Sequence, residues 1–300
     1  MLAAVASDVP QGAWLVAPKA PLPPDDDTLG VLAWVHDPLY LEKVRQACLA
    51  APGYVDSQDC RVSAGSFGAA LAASGLALQA ALDLVNGRLV RAFLAVRPPA
   101  HHAERGRAAG YCLLNHIALA AEVVTRCWAA PVLIADFDAL HGSGTERLFW
   151  ERGDVGVLSV HRYPGFPGSG AATDVGEGAG HGLTVNVPLA AGSGDEVVVA
   201  AFRRALEDLG RRLRPAAVLL AAGFSAHADD PLGGLQVSTE GFRRLTEAAV
   251  EVAETWSGGR ILSFLEGGFE VGALAASARA HVEALAGWPG GSEECSRSVH

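Results

Sequence analysis

Cysteine is scarce in this sequence and never occurs in a metal-binding pair. The five cysteines are an odd number, and no C-x-x-C motif joins any two of them. Small domains held by disulfides carry even sets of cysteines, and structural zinc sites use closely spaced cysteine pairs. The sequence therefore argues against a disulfide scaffold and against a cysteine-based zinc site.

Positive charge is also in deficit, with 23 Lys and Arg against 33 Asp and Glu and a formal net charge of −10. Nucleic acid is thus an unexpected partner, because phosphate backbones attract basic surfaces. The most apolar stretch, residues 67–82, is shorter than the roughly 20 residues of a membrane span. The first residues lack the basic region of a signal peptide. We expect a cytoplasmic protein with no nucleic-acid or membrane partner.

Apolar residues are abundant, at 50% of the chain. Short apolar runs predict buried strands, and they alternate with longer segments that predict helices. The predicted strands are residues 92–96, 132–135, 156–160, 218–222 and 261–265, and the predicted helices are residues 39–49, 66–85, 116–129, 195–213 and 239–255. This alternation predicts a single α/β domain, a parallel β-sheet flanked by helices on both faces. We expect an irregular segment over residues 1–30, the domain over residues 31–288, and a flexible tail over residues 289–300.

Polar side chains follow the predicted strands. His101 and His102 follow the first strand, Asp136 and Asp138 the second, and Ser225 the fourth. Ligand sites of parallel sheets lie beyond the carboxyl ends of the strands. The sequence therefore predicts that these side chains meet at one edge of the sheet.

Six ordered segments resemble the histone deacetylase superfamily, which includes bacterial histone deacetylase-like proteins and acetylpolyamine amidohydrolases. RPPAHHA resembles the family's RPPGHHA, DFDALHGSGTE resembles DxDxHHGNGTQ, and GFSAHADDPLGGL resembles GFDAHxxDPLGGL. GYCLLNHIALAA, LSVHRYPGFPGSG and LEGGFE match further family segments in the same order. The resemblance runs from about His36 to Trp288 and implies the arginase/deacetylase fold.

The resemblance implies a catalytic zinc site, from which this sequence departs. In the family, zinc is held by Asp and His of DxDxHHG and by Asp of GFDAH, and a Tyr of LEGGY donates to the substrate carbonyl. Asp138 retains the first ligand, whereas Leu140 and Ser225 stand at the other two ligand positions and Phe269 at the Tyr position. Leu has no donor atom, and a neutral Ser hydroxyl is a poor zinc ligand. We therefore expect a degenerate zinc site and no bound zinc.

Other family positions are retained. His101 and His102 match the pair that handles protons, although Ser143 replaces the side chain that would orient His102. The substrate-binding positions are matched by Asp59, Tyr111 and Phe166, and a loop or helix-capping role is the alternative for Asp59. An inner potassium site is matched by Asp136, Asp138, Leu140, Ser159 and Val160. A hydrogen bond between Asp136 and Ser159 with water is the alternative to potassium.

These residues favour a pseudoenzyme that lacks zinc-dependent deacetylase activity. It would bind a small molecule or an acyl-lysine-like ligand, or act as a scaffold, as a monomer or an oligomer. The alternative is a zinc-dependent amidohydrolase or deacylase that acts on acetylated lysine or polyamine through a displaced metal site, with His141 or the histidine pair as ligands. Metal-free chemistry by the pair, or by Ser225 in a partial G-x-S-x-G turn, is a third hypothesis.

Overall fold

Eight strands form two sheets within residues 26–287, the part of the chain that this computed structural model describes. The strands are β1 Gly53–Val55, β2 Ser57–Val62, β3 Arg91–Leu94, β4 Val132–Asp136, β5 Val155–Arg162, β6 Thr184–Leu189, β7 Ala217–Ala222 and β8 Ile261–Leu265. β1 and β2 form an antiparallel hairpin. The other six strands form a parallel sheet in the order β3-β8-β7-β4-β5-β6.

Helices cover both faces of the parallel sheet. They are α1 Asp26–Leu32, α2 Pro38–Leu49, α3 Ser66–Val85, α4 His116–Trp128, α5 Ser143–Phe149, α6 Asp195–Leu213, α7 Thr239–Trp256 and α8 Val271–Leu285, with a 3₁₀ turn at Gly178–Gly180. Neighbouring residues of β4 point to opposite faces, as the pleat of a strand requires. Ile134 belongs to the hydrophobic core with α3 and α4, and Leu133 to the core with α6 and α7. The predicted fold class is thus confirmed.

The five predicted strands of the sheet and the five predicted helices are all present. The prediction that residues 1–30 are irregular is wrong from Asp26 onward, because α1 begins there. Leu29 and Leu32 pack against the core, and such packing stabilises a helix whose own propensity is low. Residues 1–25, Trp288 and the predicted tail of residues 289–300 lie outside the described residues.

The helix α3 is the one described segment that is long and apolar enough to cross a membrane by length and composition. It extends beyond the apolar stretch of residues 67–82, so the sequence-based length argument is wrong. Half of its most apolar window is buried inside the protein, and it packs against α4. A buried core helix passes the same test of length and composition, and the cytoplasmic location stays a prediction.

The register of the central strands places the polar side chains together. Asp136, the last residue of β4, is paired with Ser159 on β5 and with Ala221 on β7. The loops that leave β4 and β7 therefore start at the same level. They carry Asp138 and Ser225 to one edge of the sheet, as the sequence predicts.

Candidate functional site

The carboxylate of Asp138 is buried and surrounded by protein donors. Its Oδ1 accepts hydrogen bonds from the Ser225 hydroxyl at 2.5 Å and from the Leu140 amide at 2.9 Å. Its Oδ2 accepts from the Gly267 amide at 2.9 Å. Burial raises the pKa of Asp138. Gly223 has to be glycine for this carboxylate to fit, because a Cβ there would lie 1.8 Å from Oδ2.

The three positions matching family zinc ligands supply one carboxylate and one hydroxyl. Ser225 is fully buried, donates to Asp138, and accepts from the Ala139 amide at 3.2 Å. Leu140 contributes a hydrocarbon side chain. Residues 26–287 contain no group of three or more His, Cys, Asp or Glu side chains that could hold a metal ion. These residues do not fit a family-type zinc ion, whose sites use three protein ligands with nitrogen, sulfur or carboxylate donors.

His141, the residue that could replace the lost histidine, has both ring nitrogens in other contacts. Nδ1 lies 2.9 Å from the Ser169 hydroxyl, and Nε2 lies 3.1 Å from Glu146 Oε2. Glu146 also accepts from Asn186 at 2.5 Å. The imidazole is thus part of a buried polar network. In this arrangement it supplies no ligand beside Asp138.

The histidine pair lies at the same edge of the sheet, and its ring centroids are 3.9 Å apart. His101 Nδ1 lies 2.8 Å from Asp136 Oδ2, and both side chains are buried. Burial lowers the pKa of His101, but the negative charges of Asp136 and Glu266 outweigh it and raise the pKa to about 10. His101 is therefore an imidazolium at neutral pH that donates to Asp136.

His102 differs from its neighbour in charge. Burial and the positive charge of His101 hold the pKa of His102 well below its ordinary value, so its ring is neutral. Its Nδ1 has no hydrogen-bond partner in the described part of the chain, which agrees with the replacement of the orienting side chain by Ser143. Gly110 packs against this ring with a positive φ of 52°, and a Cβ there would lie 2.1 Å from it.

Glu266 is a site residue to which the sequence analysis assigned no role. Its Oε2 accepts from the amides of Ala100 at 2.7 Å and His101 at 3.1 Å. Burial raises the pKa of Glu266 to about 7, although the charge of His101 acts in the opposite direction. The signal was available, because Glu266 directly follows a fully buried strand, β8.

Three aromatic side chains line the outer part of this edge. Tyr111 and Phe269 have ring centroids 5.9 Å apart, and Phe166 meets the ring of His102 edge to face at 5.1 Å. Asp59 Oδ2 accepts from the amide of Gly110, the residue before Tyr111, at 2.8 Å, and its Oδ1 accepts from the Ser57 hydroxyl. Asp59 thus has the predicted alternative role of holding a loop. Its contact with a substrate stays a prediction.

The predicted potassium ligands also lie near one another. Asp136 and Ser159 are paired on neighbouring strands, and Val160 is buried beside them. Asp136 Oδ1 accepts from the Asp138 amide at 2.9 Å, and the Ser159 hydroxyl lies 3.0 Å from His161 Nδ1. Among the described contacts, no direct hydrogen bond joins Asp136 to Ser159. The potassium site stays a prediction.

The model of the histone deacetylase domain matches residues 15–285. The chain belongs to the histone deacetylase family. The match begins at residue 15, within the predicted N-terminal segment, and the domain boundary at residue 31 stays a prediction. The superfamily predicted from the six sequence segments is confirmed.

Relatives in the family include proteins from plants, bacteria and archaea. Histone deacetylase 15 of Arabidopsis thaliana is 36% identical over 260 residues, which are 85% of this chain and 46% of that protein. A histone deacetylase-like amidohydrolase of Pseudomonas aeruginosa is 34% identical over 90% of this chain and 70% of its own length. A probable deacetylase of Archaeoglobus fulgidus is 35% identical and matches over 64% of its length.

The solved structure of the HDA15 HD domain has the same fold. It superposes with a TM-score of 0.86 at 33% identity, over 96% of this chain and 80% of that chain. The chain spans about half the length of the Arabidopsis relative and just under two thirds of the Archaeoglobus relative. These likenesses establish the family and its fold.

Proposed function

We propose that this protein is a member of the histone deacetylase family that lacks zinc-dependent deacetylase activity and acts as a binding or scaffold protein. The observation that carries the proposal is the hydrogen bond from Ser225 to Asp138. It occupies the place where the family sets two metal-binding carboxylates side by side. Asp138 also accepts from the amides of Leu140 and Gly267, so both of its oxygens have donors within the protein, which supports the proposal.

The chemistry of deacetylation needs groups that these residues do not supply. A catalytic zinc supplies the activated water that attacks the amide. Phe269 has no hydroxyl to donate to the developing oxyanion, and loss of one such donor costs about 10²–10³ in rate. His101 is held as an imidazolium by Asp136, and His102 is neutral. The pair can hold protons, but it has no metal-bound water to act upon.

The same edge of the sheet is suited to holding a ligand. Tyr111, Phe166 and Phe269 are each between a third and a half exposed and present apolar ring surface beside the histidine pair. We assign to this edge a small-molecule or acyl-lysine-like ligand. A potassium ion at Asp136 and Ser159 would support the loop that carries Asp138.

The second candidate is a zinc-dependent amidohydrolase acting on acetylated lysine or polyamine. The retained pair of His101 and His102 favours it, as does the likeness to a histone deacetylase-like amidohydrolase. It requires His141 to leave its contacts with Ser169 and Glu146.

The test uses the full chain, produced without a His tag in zinc-supplemented medium. Acetyl-lysine peptides and acetylated polyamines are offered with and without added zinc and with a chelator. We expect no hydrolysis that depends on zinc. Hydrolysis that stops with the chelator, returns with zinc, and is lost in His102→Ala contradicts the proposal and supports the amidohydrolase. The His102→Ala variant identifies any contaminating deacetylase, whose activity it leaves unchanged.

A further inference from the structure

A cavity of about 550 Å³ opens beside the histidine pair, on the side of Phe166. Four segments form it: the strand β2, the loop of residues 104–109, the helix α5 and the loop of residues 166–169. Its polar and aromatic lining includes Ser57, Asp59, Arg107, Ser143, Arg147 and Phe166. A concave site of this size, with a few convergent polar groups and an aromatic wall, suits a small organic ligand.

Arg107 offers the cavity an unused cation. Its side chain has no hydrogen bond or ion pair with any residue of the described chain, although its backbone carbonyl accepts from the Glu104 amide at 2.9 Å. The loop that carries the guanidinium is thus fixed while the guanidinium itself is available. Its planar set of five donors matches a carboxylate in a two-pronged arrangement.

Arg147 adds a second positive charge. Its Nε lies 3.6 Å from Glu104 Oε1, which is an ion pair at a separation longer than a hydrogen bond. The cavity wall also holds two acids, of which Glu104 is the partner of Arg147. The other, Asp59, accepts from the Gly110 amide and the Ser57 hydroxyl. Donors on the arginines therefore remain available, and each of the two acids already has a partner within the protein.

Ser143 provides a neutral donor deeper in the cavity. The residue is 5% exposed and lines the cavity, and its hydroxyl has no hydrogen-bond partner within residues 26–287. Phe166, which is 41% exposed, provides an apolar surface in the same lining. The cavity thus combines an anion-binding group, a buried hydroxyl and an aromatic face.

In a second cavity, of about 350 Å³, the arginines have acidic partners. It shares Arg147 and is also lined by Arg105 and Arg152. Arg105 donates to Asp37 at 2.9 Å, and Arg152 donates to Asp154 at 2.7 Å and to Glu122. The arginines found only in that cavity are neutralised by the protein itself.

We propose that the cavity beside the histidine pair binds a small carboxylate, with its anionic end held by Arg107 and Arg147 and its apolar part against Phe166. This inference rests on the binding role proposed above and deepens it, because Phe166 belongs to the edge to which that role assigns a ligand. The ligand class is a carboxylic acid with an aryl or alkyl group.

The probe is 3-phenylpropionate, with 3-phenylpropionamide as its uncharged analogue of nearly the same shape. Binding is measured by titration calorimetry on the chelator-treated full chain, so that no metal can hold the carboxylate. We expect the carboxylate to bind at least tenfold more tightly than the amide. We expect Arg107→Gln to weaken the binding of the carboxylate at least tenfold and to leave the amide unchanged.

Arg61→Gln is the matched control. Arg61 is exposed on β2, has no side-chain partner in the described structure, and does not line the cavity. We expect it to change binding by less than twofold. Equal binding of acid and amide, an equal loss in both arginine variants, or no binding of the carboxylate by a protein that melts normally overturns the proposal. Because the protein is chelator-treated, the presence of zinc in untreated protein affects only the proposed function.

Discussion

Two groups of side chains meet at one edge of the sheet and differ in how they depart from the family pattern. The dyad group consists of His101, His102, Asp136 and Glu266, and in it His101 Nδ1 lies 2.8 Å from Asp136 Oδ2. In the ligand group, Leu140 and Ser225 stand where the family has zinc ligands, and Phe269 stands where it has the Tyr that donates to the substrate carbonyl. The dyad group has protein partners for its charges, and the ligand group would need an ion. The proposed zinc-free function thus agrees with the retention of the group whose charges have partners within the protein.

Ser225 shows why the ligand group can be stable in this form. Two facing carboxylates without a metal repel each other, and one of them has to be protonated. A hydroxyl in place of one carboxylate turns the repulsion into a hydrogen bond, here 2.5 Å long. The replacement suits a zinc-free site electrostatically.

The largest expected effect comes from making the ligand group match the family again. The triple variant Leu140→His, Ser225→Asp and Phe269→Tyr should bind about one zinc per chain. Its hydrolysis of an acetyl-lysine peptide should rise at least about 10³-fold over the parent, since the metal supplies the nucleophile and the Tyr a donor. Elemental analysis and a peptide assay measure both. The double variant Leu140→His and Phe269→Tyr, which keeps Ser225, is the control and should stay inactive. A folded triple variant without zinc would contradict this prediction. It would mean that the backbone no longer places the three ligand positions for a metal.

Removing the counterion of the dyad group should cost the most stability. Asp136→Asn leaves the buried His101 imidazolium without its partner and should lower the free energy of unfolding by about 3–5 kcal/mol. Urea unfolding at pH 7 measures the change. Asp154→Asn removes a half-exposed partner of Arg152 and should cost only about 1 kcal/mol or less. Equal losses of stability in the two variants would mean that the buried pair of His101 and Asp136 contributes no more than an exposed ion pair.

Ser225→Ala tests the hydrogen bond that closes the ligand group. It leaves the buried Asp138 carboxylate and the Ala139 amide each short of a partner, and should destabilise the protein by about 1–3 kcal/mol. Ser63→Ala, at an exposed position, should change stability by less than about 0.5 kcal/mol. If Ser225→Ala instead abolished a measurable hydrolase activity without loss of stability, Ser225 would be a nucleophile.

The dyad group should also give stability a pH dependence through Glu266. Its pKa is raised from 4.5 to about 7 in the folded protein, so the fold favours the protonated form. This contribution is fully present below pH 4.5 and is lost as pH rises through 7, at up to about 1.4 kcal/mol per pH unit. Unfolding curves between pH 5 and 8 should show that Glu266→Gln gains stability relative to the parent as pH rises. The exposed Glu207→Gln variant should follow the parent, and a constant difference for Glu266→Gln would show that Glu266 does not titrate there.

The sequence predicted the sheet strands well because buried strands appear as short apolar runs between polar turns. The strand β6 was not predicted, since it lies at the edge of the sheet, is only partly buried and contains Pro188. The helix α8 was missed because its Ala-rich segment lacks a clear polar face. The convergence of Asp138 and Ser225 was predictable from the ends of parallel strands.

Other features of the site depend on side-chain packing that no local pattern reports. The sequence showed that Ser225 replaces a ligand, but not that it donates to Asp138. The contacts of His141 with Ser169 and Glu146 join segments distant from one another, and so do the amide bonds to Glu266. Whether the Arg107 guanidinium has an ion-pair partner likewise depends on which acidic side chains the fold brings close to it.

The zinc content of the unmodified chain tests the central claim most directly. Protein purified without a His tag from zinc-supplemented medium is dialysed and measured by elemental analysis, with the triple variant as the positive control. We predict less than about 0.1 zinc per chain, because Asp138 is the one family-type ligand that the three positions retain. About one zinc per chain in the parent, and none in the Asp138→Asn variant, would contradict this account and place a metal in the family site.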